Sequence, residues 1–329
     1  MNIEMFKIAL EGLLVAIGID VVFGEPRGFF HIAVISGKLS EKIEKKIGKK
    51  HRGSLAGFFL LLIAILSITI PLMIVFDILY AYDFLFLIFI LLFAIFLKST
   101  FALTSMGRHI RPIINSLEQN DLEGARFHLS MCVRRPTANM ERGAICSAAI
   151  ETVAEGITDS FTGALFMYSI FGIAGAIIYR IVNTMDSMFG YRDSKYLHFG
   201  RPSAVADTIL NYIPARISAV LIYVSAYLLN LNMKKTNLRS VLYSLSSRNA
   251  AYSMGSMAVV LNVRLEKKGK YIINRNGFSP DVNEIKRSLN IFYLSFFIMT
   301  IFITIPILLI MSILIWVHIP FIYFFKIYL

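Results

Sequence analysis

Residues 55–75 read LAGFFLLLIAILSITIPLMIV, a stretch without one charged side chain. About 20 mostly apolar residues in a helix cross the hydrocarbon core of a bilayer, so this stretch predicts a membrane span. A soluble core would need a partner surface for all of that Leu, Ile and Phe. The same reading extends outward along the chain. Residues 84–97, FLFLIFILLFAIFL, are as apolar, and no Asp, Glu, Lys or Arg occurs from 291 to 325. Of the 329 residues, 57% are hydrophobic and 16% charged, with mean hydropathy +0.67. An average soluble domain is about 45–50% apolar and about 25% charged. The expected fold class is therefore all-α: a polytopic integral membrane protein in which cytoplasmic helical loops form the active site.

Charge sets the expected topology. The formal charge is +12, and much of the excess lies in 38–52, KLSEKIEKKIGKKHR, just ahead of the first long span. That is a positive-inside signature, suited also to anionic lipid, and it argues against a nucleic-acid partner. Residues 5–23 hold Glu11 and Asp20 and lack a basic leader, so they read as a first membrane segment rather than a cleaved signal. The span 55–75 then runs outward, 76–83 (FDILYAYD) forms the outer connector, and 84–104 returns. The chain is one membrane domain, 1–329. Membrane helices and the basic loop occupy 1–104, a motif-bearing helical region 105–290, and a membrane hairpin or one long helix kinked at Pro306 occupies 291–329. Within the middle region, 161–182 (with Gly163, Gly172 and Gly175) and 212–231 (with Pro214 and Arg216) suit re-entrant or protein-buried helices as well as spans. The re-entrant reading keeps every polar stretch on one face.

Four constellations could carry chemistry. Glu151, Glu155 and Asp159, in AAIETVAEGITDS, recur every four residues and so predict one helix face. Like charges at that spacing repel, so the acids need Mg²⁺, arginines, or plain solvent. Asn183 and Asp186 end a long apolar run, where polar groups are expensive and hence functional candidates; Asp193 follows. Arg126, Arg201 and Arg216 are among several arginines suited to planar recognition of phosphate or carboxylate, as are Arg108, Arg111, Arg134 and Arg135. Finally, 246–271 (SSRNAAYSMGSMAVVLNVRLEKKGKY) brings small residues together with Asn249. No Walker-type or GxGxxG loop occurs. Cys132 and Cys146 form no CxxC or Cys/His cluster, which argues against structural zinc. The six histidines show no Ser/His/Asp pattern.

Several strings, taken together and in order, resemble the CobD/CbiB family, the adenosylcobinamide-phosphate synthases: DVVFGEP with His31, NDLEGAR at 120–126, IETVAEGITDS, NTMDSMFGYR, NYIPAR and LNVRLEKKGKY. The likeness runs from about residue 20 to 271. It departs from the family pattern at Pro136, where an acid is usual, and also at Ile32, Ala164 and Arg248.

The resemblance implies ATP-dependent amide ligation of (R)-1-aminopropan-2-yl phosphate to a side-chain carboxylate of adenosylcobyric acid, with Mg²⁺ and ATP. The chemistry of that reaction makes Glu151, Glu155, Asp159 and Asp186 the candidate metal ligands, with one of them a candidate base. Arg126, Arg201 and Arg216 would hold phosphates, while Asn183, Asp193 and Asn249 would orient substrates. The expected partners are membrane lipid, the corrinoid and the amino-alcohol phosphate, with a homo-oligomer or other cobalamin-pathway proteins left open. The expected place is the cell membrane, multi-pass, with the site on the cytoplasmic face. Two rival classes stand beside this one: a membrane transporter for a corrinoid or cation, and a non-catalytic relative for which Pro136 speaks.

Overall fold

The computed structural model describes residues 2–25, 30–47, 53–190, 196–231, 245 and 247–314. These are almost wholly helical and divide into two compact units. The first unit holds 1–102, 163–210 and 300–329, and the second 103–162 and 211–299.

In the first unit, α1 (Asn2–Phe23), α2 (Ile32–Lys46), α3 (Ser54–Ala81) and α4 (Phe86–Lys98) come first in the chain. They are followed by α8 (Gly163–Phe189), α9 (Arg201–Leu210) and α13 (Ile305–Leu314). Helix α3 is charge-free until Asp77 and runs 28 residues, long enough to cross a bilayer. Leu55, Phe58, Phe59, Ile63, Ile70 and Ile74 are exposed along it, as a lipid-facing helix requires. Helix α3 also absorbs most of the expected outer connector, since 76–81 are helical. The expected return span is much shorter than 84–104. Helix α4 has 13 residues, roughly 20 Å of rise, against about 30 Å of hydrocarbon. It stops because the Ser99 and Thr100 hydroxyls donate to the carbonyls of Phe96 and Leu97, at 2.7 and 2.6 Å, and close a turn. Helix α1 carries Lys7, Glu11 and Asp20, and it is not among the helices apolar enough to cross.

Helix α8 is two arms. Gly172 has φ 62° and ψ −159°, a region open essentially to glycine. A Cβ on Gly163 would strike the Tyr179 ring, and one on Gly175 would lie 2.6 Å from the Met167 carbonyl oxygen. In a straight helix residues 163 and 179 would be about 24 Å apart. The chain therefore folds back at Gly172 as a helical hairpin. Tyr168, fully buried in the first arm, donates to the Ala9 carbonyl of α1 at 2.7 Å. The expected interruption of 161–182 is thus a reversal at Gly172.

The second unit holds α5 (Thr104–Glu118), α6 (Leu122–Ser130), α7 (Arg142–Gly156), α10 (Tyr212–Leu228), α11 (Arg248–Val260) and α12 (Val282–Ile298). Asn120, at φ 58°, breaks α5 from α6, and the Asp121 carboxylate caps α6 by accepting from the Gly124 N–H at 2.8 Å. Helix α7 is buried on nearly all sides, which makes it the axis of this unit. Past Gly156 the helix widens into a π-turn, Ile157–Thr162, where Phe161 packs edge-on against Phe292 and Phe296. Strands β1 (Leu265–Lys267) and β2 (Tyr271–Ile273) form an antiparallel hairpin. Its turn places Gly269 at φ 74°, the conformation required at the third position of a type II turn.

By length and composition, three helical stretches among the described residues could cross a membrane: Ser54–Ala81, Arg142–Phe189 and Val282–Leu314. A fourth arises if Arg201–Leu210 and Tyr212–Leu228, bent by 48°, count as one. The second of these includes the Gly172 reversal, so its 48 residues are not one straight rod. From Val282 to Leu314 the helix passes through a π-turn at Met299–Thr304. The second arm of the expected C-terminal hairpin lies outside the described residues.

Candidate functional site

Within the second unit, Glu151 is the centre of a polar knot on the otherwise apolar α7. Its side chain is 8% exposed. Arg135 donates to Oε2 at 2.9 Å, Tyr271 donates to the same oxygen at 3.1 Å, and Ser147 donates to Oε1 at 2.9 Å. A buried carboxylate is stable only when such partners replace its water. Ser147 lies one turn before Glu151, and its Oγ also accepts from the Glu266 N–H at 2.8 Å. The β1–β2 hairpin is thereby tied to α7 at Glu266 and again at Tyr271. Burial, and then the charges of Glu151 and Glu155, push the Tyr271 hydroxyl up, so it remains a proton donor at physiological pH.

Glu155, one turn on, is exposed while Val153, Ala154 and Gly156 are buried. Its carboxylate thus faces an opening in a helix that is otherwise closed. The spacing argument stops there. Asp159 falls on the π-turn, whose wider winding moves it off the stripe expected of a regular helix. Asp159 instead accepts from the Asn211 amide at 3.5 Å. Among the described residues no group of three or more His, Cys, Asp or Glu is gathered to hold a metal.

Arg216 and Asn249, chosen from distant stretches, do meet: Nη1 donates to Oδ1 at 3.0 Å. The guanidinium also stacks on Tyr212 at 3.6 Å and on Tyr252 at 4.3 Å, so its plane is fixed before any ligand arrives. Arg126 is placed differently. Its Nε donates to the Met140 carbonyl at 2.9 Å, and the Arg126 carbonyl accepts from Thr137 at 3.0 Å. Arg126 therefore fastens the 131–141 loop that carries Arg135.

The remaining sequence candidates belong to the first unit. Asn183 accepts from Arg180 and donates to Asp207, both at 3.3 Å. Arg180 in turn donates through Nε to the Thr100 carbonyl at 2.7 Å. Asp186 curls over the end of α8, where its carboxylate occupies the space a Gly190 side chain would need. Arg201, the first residue of α9, is exposed and lines a cavity. Asp193 lies outside the described residues. In the opening motif, Asp20 pairs with Lys98 at 2.7 Å and Glu25 approaches His31 at 3.8 Å.

Sequence reasoning missed Ser147 and Tyr271; it named Arg135 among the arginines suited to phosphate or carboxylate, and here Arg135 holds the carboxylate of Glu151. Only Ser147 was signalled locally, by its i,i+4 relation to Glu151. Arg135 stands beside Pro136, so the residue next to the family departure does find an acid, supplied by α7.

A profile of the CobD/Cbib protein family matches residues 13–295. The "Probable cobalamin biosynthesis protein CobD" of Thermoplasma volcanium is 41% identical over 301 residues, 92% of this chain and 98% of that protein. The protein of the same description in Pyrococcus furiosus is 35% identical, over 86% of this chain and 93% of its own length. The "Cobalamin biosynthesis protein CobD" of Dehalococcoides mccartyi is 33% identical, over 78% and 84%. No solved structure matches the chain.

Proposed function

This chain belongs to the CobD/CbiB family and to cobalamin biosynthesis, and from that premise we propose that it is the ATP-dependent ligase joining an amino-alcohol phosphate to adenosylcobyric acid. The observation that carries the reading is the pair on α7: Glu151, buried and held by three donors, and Glu155 one turn away, open to solvent.

A carboxylate and an ammonium do not condense unaided, because the carboxylate oxygen is a poor leaving group. In the proposed reaction the corrinoid carboxylate oxygen attacks the γ-phosphorus of ATP. An acyl phosphate forms and ADP leaves. Glu155 takes one proton from the substrate ammonium. The free amine attacks the acyl carbon, the C–N bond forms, the C–O bond to phosphate breaks, and the second amine proton leaves with the phosphate. Glu151 does not enter this chemistry directly. Its ties to Arg135 and Tyr271 hold α7, the 131–141 loop and the β1–β2 hairpin in register around Glu155. Arg216, stacked and pre-oriented, supplies positive charge for a phosphate group.

Mg²⁺ keeps several waters and takes one or two carboxylates plus substrate phosphates. Glu155 could supply one such carboxylate, whereas Asp159, moved off that stripe, and Glu151, committed to three donors, do not fit the set. An ion held there would neutralise charge on the transferring phosphoryl group. The setting proposed is a multi-pass protein of the cell membrane with its site on the cytoplasmic face, where ATP is available. The reversal at Gly172 supports this, since a chain that turns back there need not cross to the other side. Glu155→Gln tests the reading. With saturating Mg²⁺ and ATP, amide formation falls by roughly 10²–10⁴-fold, the range of general acid–base contributions. Unchanged turnover would remove Glu155 from the mechanism.

A further inference from the structure

The first unit contains a cavity of about 480 Å³ between the end of α8 and the start of α9. Its polar lining comes from His198, Arg201 and Thr208, and its apolar lining from Leu197, Ala204 and Val205. Gly190 forms part of the wall. The two ends of the 190–200 segment are pressed together there. A Cβ on Gly200 would strike the Phe189 carbonyl and lie 3.1 Å from the Gly190 nitrogen. The Asp186 carboxylate lies over Gly190. Only glycine fits at either position, so the cavity keeps its shape through backbone contact.

No acidic side chain lines the cavity among the described residues, while one Arg and one His do. A site with that balance takes an anion. Leu197, Ala204 and Val205 lie beside these polar groups in the same lining and suit a short alkyl chain. From these features we infer that the cavity is a subsite for a short aliphatic phosphate monoester. Such a ligand carries about −1.5 to −2 charges at pH 7, which Arg201 can meet with its charge while His198 and Thr208 offer hydrogen bonds. A nucleoside triphosphate carries about twice that and would ask for more cations than the described lining offers. The inference rests on the proposed ligase reading for its substrate, the amino-alcohol phosphate, and adds Arg201 and His198 as the residues that hold its phosphate.

Labelling tests occupancy without requiring turnover. In the full chain carrying Cys132→Ser, Leu197→Cys is reacted with a maleimide. The expected result is that 1-aminopropan-2-yl phosphate, at ten times its dissociation constant, slows labelling about tenfold, following 1 + [L]/Kd. The phosphate-free amino alcohol and the β,γ-imido analogue of ATP leave the rate unchanged. Adding Arg201→Met weakens protection by roughly 10- to 100-fold, the scale of a charge-assisted hydrogen bond, and Arg201→Lys restores part of it. Protection by the ATP analogue at lower concentration than by the monoester overturns the assignment. So does protection that survives Arg201→Met. Amide product without protection at residue 197 overturns the subsite and leaves the ligase standing; protection without product leaves the subsite and overturns the ligase.

Discussion

Asp20 and Lys98 meet at 2.7 Å with side chains 0% and 1% exposed, whereas Glu151 and Arg135 meet at 2.9 Å with 8% and 15% exposure. Both pairs put a carboxylate against a cation away from water. The first joins α1 to the end of α4, and Lys98 has one further acceptor nearby, the Phe101 carbonyl at 3.4 Å. Glu151 has a different shell. Arg135, Ser147 and Tyr271 come from three separate segments, and an open carboxylate sits one turn along the same helix. The contrast teaches that burial and pairing alone do not mark function. The enclosed pair is a rivet, whereas the partly open knot, with Glu155 beside it, is where the proposed reaction would admit a substrate.

Lys98→Met should produce the largest effect on folding. It removes the buried counter-charge of Asp20, and breaking a buried pair costs about 3–5 kcal/mol. The apparent melting temperature in detergent should fall sharply, and Asp20→Asn combined with Lys98→Met should recover much of the loss. Equal losses in the single and double variants would break the comparison, because Asp20 would then need no counter-charge. Tyr271→Phe should act on the other pair and at smaller scale. Removing one donor to a charged acceptor costs about 1.5–3 kcal/mol, so turnover drops at least about tenfold while Lys98 and Asp20 are untouched. A variant that melts early yet turns over normally would make Tyr271 a rivet too.

The smallest effect belongs to an exposed pair that serves as the control. Arg142 Nε donates to Asp281 at 2.8 Å, with the two side chains 40% and 59% exposed. That hydrogen bond holds the Asp281 carboxyl below its usual range. A lowered folded pKa gives stability that is present above the ordinary value, about 3.9, and lost as pH falls through the lowered one. Solvent screening keeps it under about 1 kcal/mol. Wild type and Asp281→Asn should therefore differ slightly at pH 7 and converge as pH falls through the lowered value. A gap that persisted in acid would point to the helix cap instead, where the Glu284 carboxylate accepts from the Asp281 N–H at 3.0 Å.

Much of the fold was legible, and the failures have physical causes. Residues 55–75 predicted α3 because nothing but lipid or a partner surface suits them. The extent of 84–104 did not follow, because hydropathy continues through FALT while the Ser99 and Thr100 hydroxyls end the helix. Gly163, Gly172 and Gly175 marked 161–182 as interrupted. The reversal itself depends on a backbone angle that composition does not encode. The β1–β2 hairpin was overlooked although Gly269 signals its turn. At the candidate site, the helix spacing of Glu151 and Glu155 was readable, and Arg216 and Asn249 each stood out locally, though their meeting across 33 residues did not. Asp159 was misplaced because a π-turn breaks the period. Tyr271 was missed because its contact with Glu151 spans 120 residues, beyond any local pattern.

The central claim, that this chain forms an amide at the expense of ATP, is tested most directly by mass. Purified protein is given adenosylcobyric acid, 1-aminopropan-2-yl phosphate, ATP and Mg²⁺. The account predicts a corrinoid whose mass is the sum of the two joined substrates less one water, with ADP and phosphate formed in equal amounts. Unchanged corrinoid and intact ATP, under conditions where a family relative yields product, would contradict it.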